Sequence, residues 1–194
     1  DTASIHQARQ TLLESIQPAE PERAIRGQYK GYKSEVGSQE SNTETYAELN
    51  LRIESEALSD VPIRIISGKG LAEKKTEISI KFGENNSKAT NTLIFRIQPN
   101  AGIHIELRVK EPNLERVIAD ANMDFSYSEA FKIDTSHPTA YERVLADAFK
   151  GDRTLFATSD EVLASWRVIE PVIEAWKDND DDLISYEMGA DKLI

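Results

Sequence analysis

The chain has 194 residues, no cysteine, and 34 acidic against 23 basic side chains, for a formal net charge of -11. This length buries a hydrophobic core without staples, and the missing thiols exclude a disulfide framework, a zinc-thiolate site and a cysteine nucleophile. An acidic excess with no dense Lys/Arg cluster excludes nucleic acid as a partner on counterion grounds, and apolar runs far short of the roughly 20 residues of a spanning helix point to a soluble protein with no membrane partner.

The chain opens on Asp1 without the basic and apolar regions of a secretory signal, so its start reads as internal. Ser4-Ile5-His6-Gln7 has the form of a capping box, and Ile5, Ala8, Leu12, Leu13 and Ile16 recur at helical spacing until Pro18 and Pro21 end the pattern. A first helix with one buried face is expected there. Residues 19 to 42 lack sustained periodicity apart from the Ile25 to Tyr29 patch and read as an ordered excursion.

From Thr45 the period changes to two. Ala47, Leu49, Leu51 and Ile53 alternate with polar residues, and further strands are expected at Pro62 to Ser67, at Ile78 to Phe82, at Leu93 to Ile97 and at Ile103 to Lys110. The connections are too short for parallel crossovers, so these strands should form one large, mostly antiparallel sheet. Helical spacing returns from Pro138 to Lys150, with Gly151 placed as a C-terminal cap. A last helix starts at Ser159 and Glu161, carries Val162, Leu163, Trp166, Ile169, Ile173 and Trp176, and should be kinked or split by Pro171. The fold class is α+β, a sheet packed with helices in a single domain over residues 1–194.

Neither a G-x-G-x-x-G turn nor a G-x-x-x-x-G-K-[ST] loop occurs, so the chain holds no Rossmann or P-loop nucleotide site of its own. His6, His104 and His137 are scattered without a metal-binding spacing and read as structural. Asp178, Asp180 and Asp182 begin like a calcium loop, but Leu183 stands where the turn glycine belongs and Gly189 where the closing glutamate belongs. A solvated acidic loop is expected.

Seven motifs, in one collinear order, change the reading. They are Gly27-Gln28-Tyr29, Thr43-Glu44-Thr45, Val61-Pro62 running to Gly68-Lys69, Glu73-Lys74-Lys75-Thr76-Glu77-Ile78, Phe95-Arg96-Ile97-Gln98-Pro99, Ala140-Tyr141-Glu142-Arg143 and Phe149-Lys150-Gly151-Asp152-Arg153-Thr154-Leu155-Phe156. Together they resemble the C-terminal domain of glucose-6-phosphate dehydrogenase. The resemblance implies a cytoplasmic enzyme of the oxidative pentose phosphate pathway that oxidises glucose 6-phosphate to 6-phosphogluconolactone with NADP. It also implies that the NADP-binding Rossmann domain and the general-base histidine belong to an N-terminal domain absent here, so this chain alone should be inactive and holds no catalytic residue.

By matched position, the resemblance assigns substrate contacts to Lys69, Lys74 and Gln98. The chemistry suits them, since an ammonium is a mobile point charge for a sugar phosphate and an amide both donates and accepts. It further implies a homodimer through the sheet, with the N-terminal domain and glucose 6-phosphate as the other partners. Some members hold a second, structural NADP in this domain; here Ile66, Ser79 and Glu111 replace basic residues of that pattern, leaving Lys75 and Arg96, so no structural nucleotide is expected. Leu58 and Asp60 replace the tryptophan and glycine that usually lead into Val61-Pro62. The alternative, of a different class, is a stand-alone non-catalytic binding or oligomerisation module derived from that domain.

Overall fold

The computed structural model describes residues 1–83, 91–132, 139–177, 179, 182–191 and 193; the expectations for His137, Pro138, Asp178 and Asp180 fall outside these. The first helix, α1 (Thr2–Ser15), is capped by Asp1, whose carboxylate accepts from the Ser4 N–H at 2.8 Å and the Ser4 hydroxyl at 2.9 Å. The expected cap at Ser4 therefore moves back three residues. A carboxylate satisfies the orphan N–H groups and also complements the helix dipole, which a hydroxyl does not.

The stripe of α1 that is covered also differs from the apolar one. Thr2, His6, Gln10 and Leu13 are half-buried, while Ile5 and Leu12 stay 39% and 46% exposed. Hydrogen bonds decide this, because α1 lies on the last helix, α5 (Ser159–Lys177), through polar links. His6 Nδ1 meets Glu161 at 3.2 Å, and one Arg167 nitrogen donates to the carbonyls of Leu13, Glu14 and Ile16 around the C-terminal end of α1.

After a 3-10 turn at Pro21–Arg23, the excursion contains β1 (Ile25–Tyr29) and the short α2 (Tyr32–Glu35). β1 pairs antiparallel with β2 (Tyr46–Leu51), which pairs antiparallel with β3 (Ile63–Gly68). On its other side β1 pairs parallel with β8 (Leu183–Tyr186), so this four-stranded sheet runs β3-β2-β1-β8. One face carries Ala47, Leu49, Leu51 and Ile63 against α5, where Ala164, Val168, Val172 and Trp176 are buried four residues apart along one stripe. Pro171 neither splits nor ends α5, which runs 19 residues without a break. The opposite face of the sheet packs Tyr29, Tyr46 and Tyr186 with Leu71 and Leu193.

These elements belong to one compact unit, Asp1–Glu73 with Val144–Ile194; residues Lys74–Arg143 form a second. In the second unit β4 (Thr76–Phe82), β5 (Asn91–Gln98), β6 (Gly102–Lys110) and β7 (Ile118–Ser126) pair antiparallel in that order, followed by α3 (Tyr127–Ala130). Instead of one large sheet, the described strands form two sheets of four. The register places Ile78, Ile80, Leu93, Phe95, Ile103, Ile105, Met123 and Phe125 on one face, and Ser79, Arg96, His104, Glu106 and Asp124 on the other. Several apolar-face residues are open to solvent, with Ile78 56% and Met123 59% exposed.

The helix α4 (Ala140–Lys150) starts at a capping box between Thr139 and Glu142 and stops at Gly151, whose φ of 71 suits glycine. No helix of the described residues is long and apolar enough to cross a membrane.

Candidate functional site

The turn that carries Lys69 is fixed by its backbone. β3 ends at Gly68 under a tyrosine ring: a Cβ at Gly68 would lie 2.8 Å from Leu71 Cδ1 and 3.0 Å from Tyr46 Cδ2, so a larger residue would have to displace Leu71 and press on the Tyr46 ring. The Lys69 N–H donates to the Thr45 carbonyl at 2.8 Å, and the Lys69 carbonyl accepts from the Tyr186 hydroxyl at 2.6 Å. Gly70, with φ 62, turns the chain so that its carbonyl accepts from the Gly189 N–H at 2.6 Å. Leu71 then bridges Ala190, and the Ala72 N–H donates to the Ala190 carbonyl at 3.1 Å.

Residues 69–72 are thus strapped on one side by Thr45 and on the other by the segment that follows β8. The Lys69 side chain itself is exposed, a flexible stem rooted in a rigid turn.

Two tyrosines beneath this turn, Tyr29 and Tyr46, are held as neutral phenols. Tyr29 donates to Glu35 Oε2 at 2.6 Å, and that bond, reinforced by burial, pushes its pKa up to about 12. Burial first, then a 3.0 Å bond to Glu48, pushes Tyr46 up to about 12. Tyr186 packs edge-on against both rings, at 6.2 Å and 6.1 Å between centroids, and its hydroxyl lies 2.8 Å from Thr45 Oγ1.

Lys74 and Gln98 stand together in the second unit. Lys74 lies two residues before the start of β4, Thr76 on β4 pairs with Gln98 on β5, and Gln98 Nε2 donates to Thr76 Oγ1 at 3.3 Å. Both side chains are exposed at the same end of the β4–β5 pair, and the Gln98–Pro99 peptide is cis. Lys69 belongs to the first unit, and its backbone partners are all within that unit. The sequence reading missed Thr45 and Tyr186 as supports of Lys69. The Thr43-Glu44-Thr45 motif was the available signal for the first; Tyr186 had none, since it lies 117 residues from Lys69.

Several other cations of the second unit face carboxylates. Lys75 Nζ is 3.2 Å from Glu77, and Arg96 and His104 each reach Asp124 Oδ1 at 2.8 Å. The His104 hydrogen bond, more than the Arg96 one, holds the Asp124 carboxyl below the usual carboxylate range. The Nε of Arg96 is buried without a hydrogen bond, a single donor left over and not a phosphate cradle. In the first unit His6 meets Glu161 through Nδ1 and the Arg153 carbonyl through Nε2 at 3.1 Å. No group of three or more potential metal ligands occurs among the described residues.

Mostly antiparallel sheets with flanking helices, a tyrosine-braced Gly-Lys turn and an amide at a strand end define an α+β domain with no nucleotide fold among its described elements. Over residues 1–192 the chain matches the family described as glucose-6-phosphate dehydrogenase, C-terminal domain, and it belongs to that family. It is 40% identical to the glucose-6-phosphate 1-dehydrogenase of Borreliella burgdorferi, over 92% of this chain and 42% of that protein. It is 31% identical to the cytoplasmic glucose-6-phosphate 1-dehydrogenase 5 of Arabidopsis thaliana, over 92% of this chain and 36% of that protein. A solved glucose-6-phosphate dehydrogenase in complex with its substrate glucose-6-phosphate shares the fold with a TM-score of 0.88 and 29% identity, covering 99% of this chain and 43% of that one. The chain therefore spans less than half the length of the curated relatives it matches.

Proposed function

We propose that residues 1–194 act as the substrate-binding and dimerising C-terminal domain of a cytoplasmic, NADP-dependent glucose-6-phosphate 1-dehydrogenase. Its reaction is the oxidation of glucose 6-phosphate to 6-phosphogluconolactone, in the oxidative pentose phosphate pathway. The observation that carries this reading is the Gly68 to Ala72 turn, whose backbone is anchored on both sides while its lysine side chain is left open. A fold that fixes a turn this firmly and leaves the ammonium exposed favours a ligand role for Lys69 over a merely solvated one.

In this reading Lys69 and Lys74 supply positive charge to the sugar phosphate and its hydroxyls, and Gln98 orients a hydroxyl through its amide. NADP, bound by the N-terminal domain, supplies the hydride acceptor. This chain contributes no catalytic acid or base and binds no structural nucleotide, since Lys75 and Arg96 are already set against Glu77 and Asp124. The subunit interface is the apolar face of the β4–β7 sheet.

The test is Lys69→Ala in the full-length protein. Losing one charge-assisted contact should raise KM for glucose 6-phosphate about 10-fold or more with kcat little changed. An unaltered KM in an active variant would show that Lys69 does not touch the sugar.

A further inference from the structure

Among the described residues, the strap on the Lys69 turn has a single side-chain hydrogen bond, from Tyr186. We propose that Tyr186, on β8, is a positioning residue for sugar-phosphate binding: its hydroxyl holds the Lys69 carbonyl and so sets where the ammonium of Lys69 is delivered. The proposal rests on the reading of Lys69 given above and adds to it a residue that touches no substrate.

Three observations carry it. First, the Tyr186 hydroxyl sits at the crossing of three oxygens, at 2.6 Å from the Lys69 carbonyl, 2.8 Å from Thr45 Oγ1 and 3.3 Å from the Thr45 carbonyl. One phenol has one proton, and the shortest of these contacts goes to Lys69, whose carbonyl has no hydrogen to offer in return. The Tyr186 proton therefore belongs to Lys69, and the Thr45 hydroxyl can donate to the phenol oxygen.

Second, Tyr186 is 5% exposed and wedged edge-on between Tyr29 and Tyr46, so its hydroxyl has little freedom to move. Third, the same strand end continues into the Gly189 and Ala190 contacts with Gly70 and Ala72. Removing the hydroxyl would leave those outer contacts and the ring packing intact while releasing the carbonyl nearest the functional lysine. A four-carbon stem amplifies a small rotation of its peptide into a displacement at the ammonium, which weakens ground-state binding more than chemistry.

The experiment is a cycle in the full-length protein, reading KM for glucose 6-phosphate and kcat for Tyr186→Phe, Lys69→Ala and the double variant. Tyr186→Phe should raise KM about 3- to 10-fold, the range of one net hydrogen bond, with kcat within about 2-fold. In the Lys69→Ala background it should add nothing, because the group it positions is gone. Tyr29→Phe is the control: it deletes a phenol hydroxyl from the same cluster, but one bonded to Glu35, and KM should not move.

An unchanged KM in Tyr186→Phe beside a raised KM in Lys69→Ala overturns the positioning role alone. Multiplying effects in the double variant overturn it too, and an unchanged KM in Lys69→Ala overturns the lysine assignment and this one with it. Should Tyr186→Phe not fold, Thr45→Val removes the hydroxyl beside the phenol, which also accepts from the Tyr29 N–H at 3.0 Å, while keeping the Thr45 carbonyl on the Lys69 N–H. It should raise KM in the same way, and an unchanged value counts against the proposal.

Discussion

Arg26 stands in the interior of a strand, on the face turned toward α5, where an aliphatic side chain would be the ordinary choice. It is 2% exposed. Its guanidinium donates to the Trp176 carbonyl at 3.2 Å and to the Asn179 carbonyl, pairs with Asp182 at 2.6 Å, and lies 5.5 Å from the centre of the Trp176 ring. These partners follow one another from the last turn of α5 to the start of β8, so one planar fork ties down the return of the chain. Arg26→Met keeps the bulk and leaves the Trp176 carbonyl unpaired. Urea unfolding should show a loss of about 3 kcal/mol, and Arg26→Lys should not restore it, because an ammonium cannot span the same set. A loss below about 1 kcal/mol would show that the fork contributes packing and little else.

Among the elements, α5 begins at a capping box that another helix shares. Glu161 accepts from the Thr158 N–H at 2.6 Å and meets His6 of α1 at 3.2 Å. The Thr158 bond first, and His6 after it, hold the Glu161 carboxyl below its usual range against the opposing effect of burial. For a carboxyl depressed in the folded state, the native form binds fewer protons than the unfolded one. Its stabilisation is therefore complete above the ordinary glutamate pKa and is lost as pH falls through the depressed value. The Tm gap between the native chain and Glu161→Gln should be widest near neutrality and close on acidification; a gap independent of pH would rule out the charge as its source. This helix was legible in the sequence because its apolar period is regular, as were β2 through β6. β1 was not, since Arg26, Gly27 and Gln28 interrupt any alternation, and its place in the sheet depends on partners distant in sequence, such as Glu48 and Leu183. β7 escaped because Asp120, Asn122 and Asp124 occupy its polar phase, residues that strands disfavour in isolation; here Asp120 finds Arg108 on the neighbouring strand, and Asp124 finds His104 there and Arg96 one strand further.

At the scale of the whole molecule, Lys69, Lys74 and Gln98 are proposed as substrate contacts only through the order of motifs, for no periodicity distinguishes a binding lysine from a solvated one. The strap from Tyr186 could not be read at all, because hydrogen bonds to main-chain carbonyls leave no compositional trace. The apolar sheet face is different, since alternation in β4 through β6 announces it and the register of β7 extends it with Met123 and Phe125. Ile78, Ile97 and Met123 are 56%, 52% and 59% exposed on it, apolar side chains that a partner surface would cover. An isologous pairing of two copies brings each position on this face near its own symmetry mate or a neighbour of it, so one added charge is introduced twice and desolvated twice. On the proposed homodimer, Met123→Glu should therefore shift the full-length protein toward monomer in sedimentation at micromolar concentration, while Ser79→Glu, on the opposite face, should leave the sedimentation unchanged. A Met123→Glu protein that still sediments as a dimer would move the subunit interface off this face, because no isologous contact centred there tolerates a paired, unpartnered carboxylate.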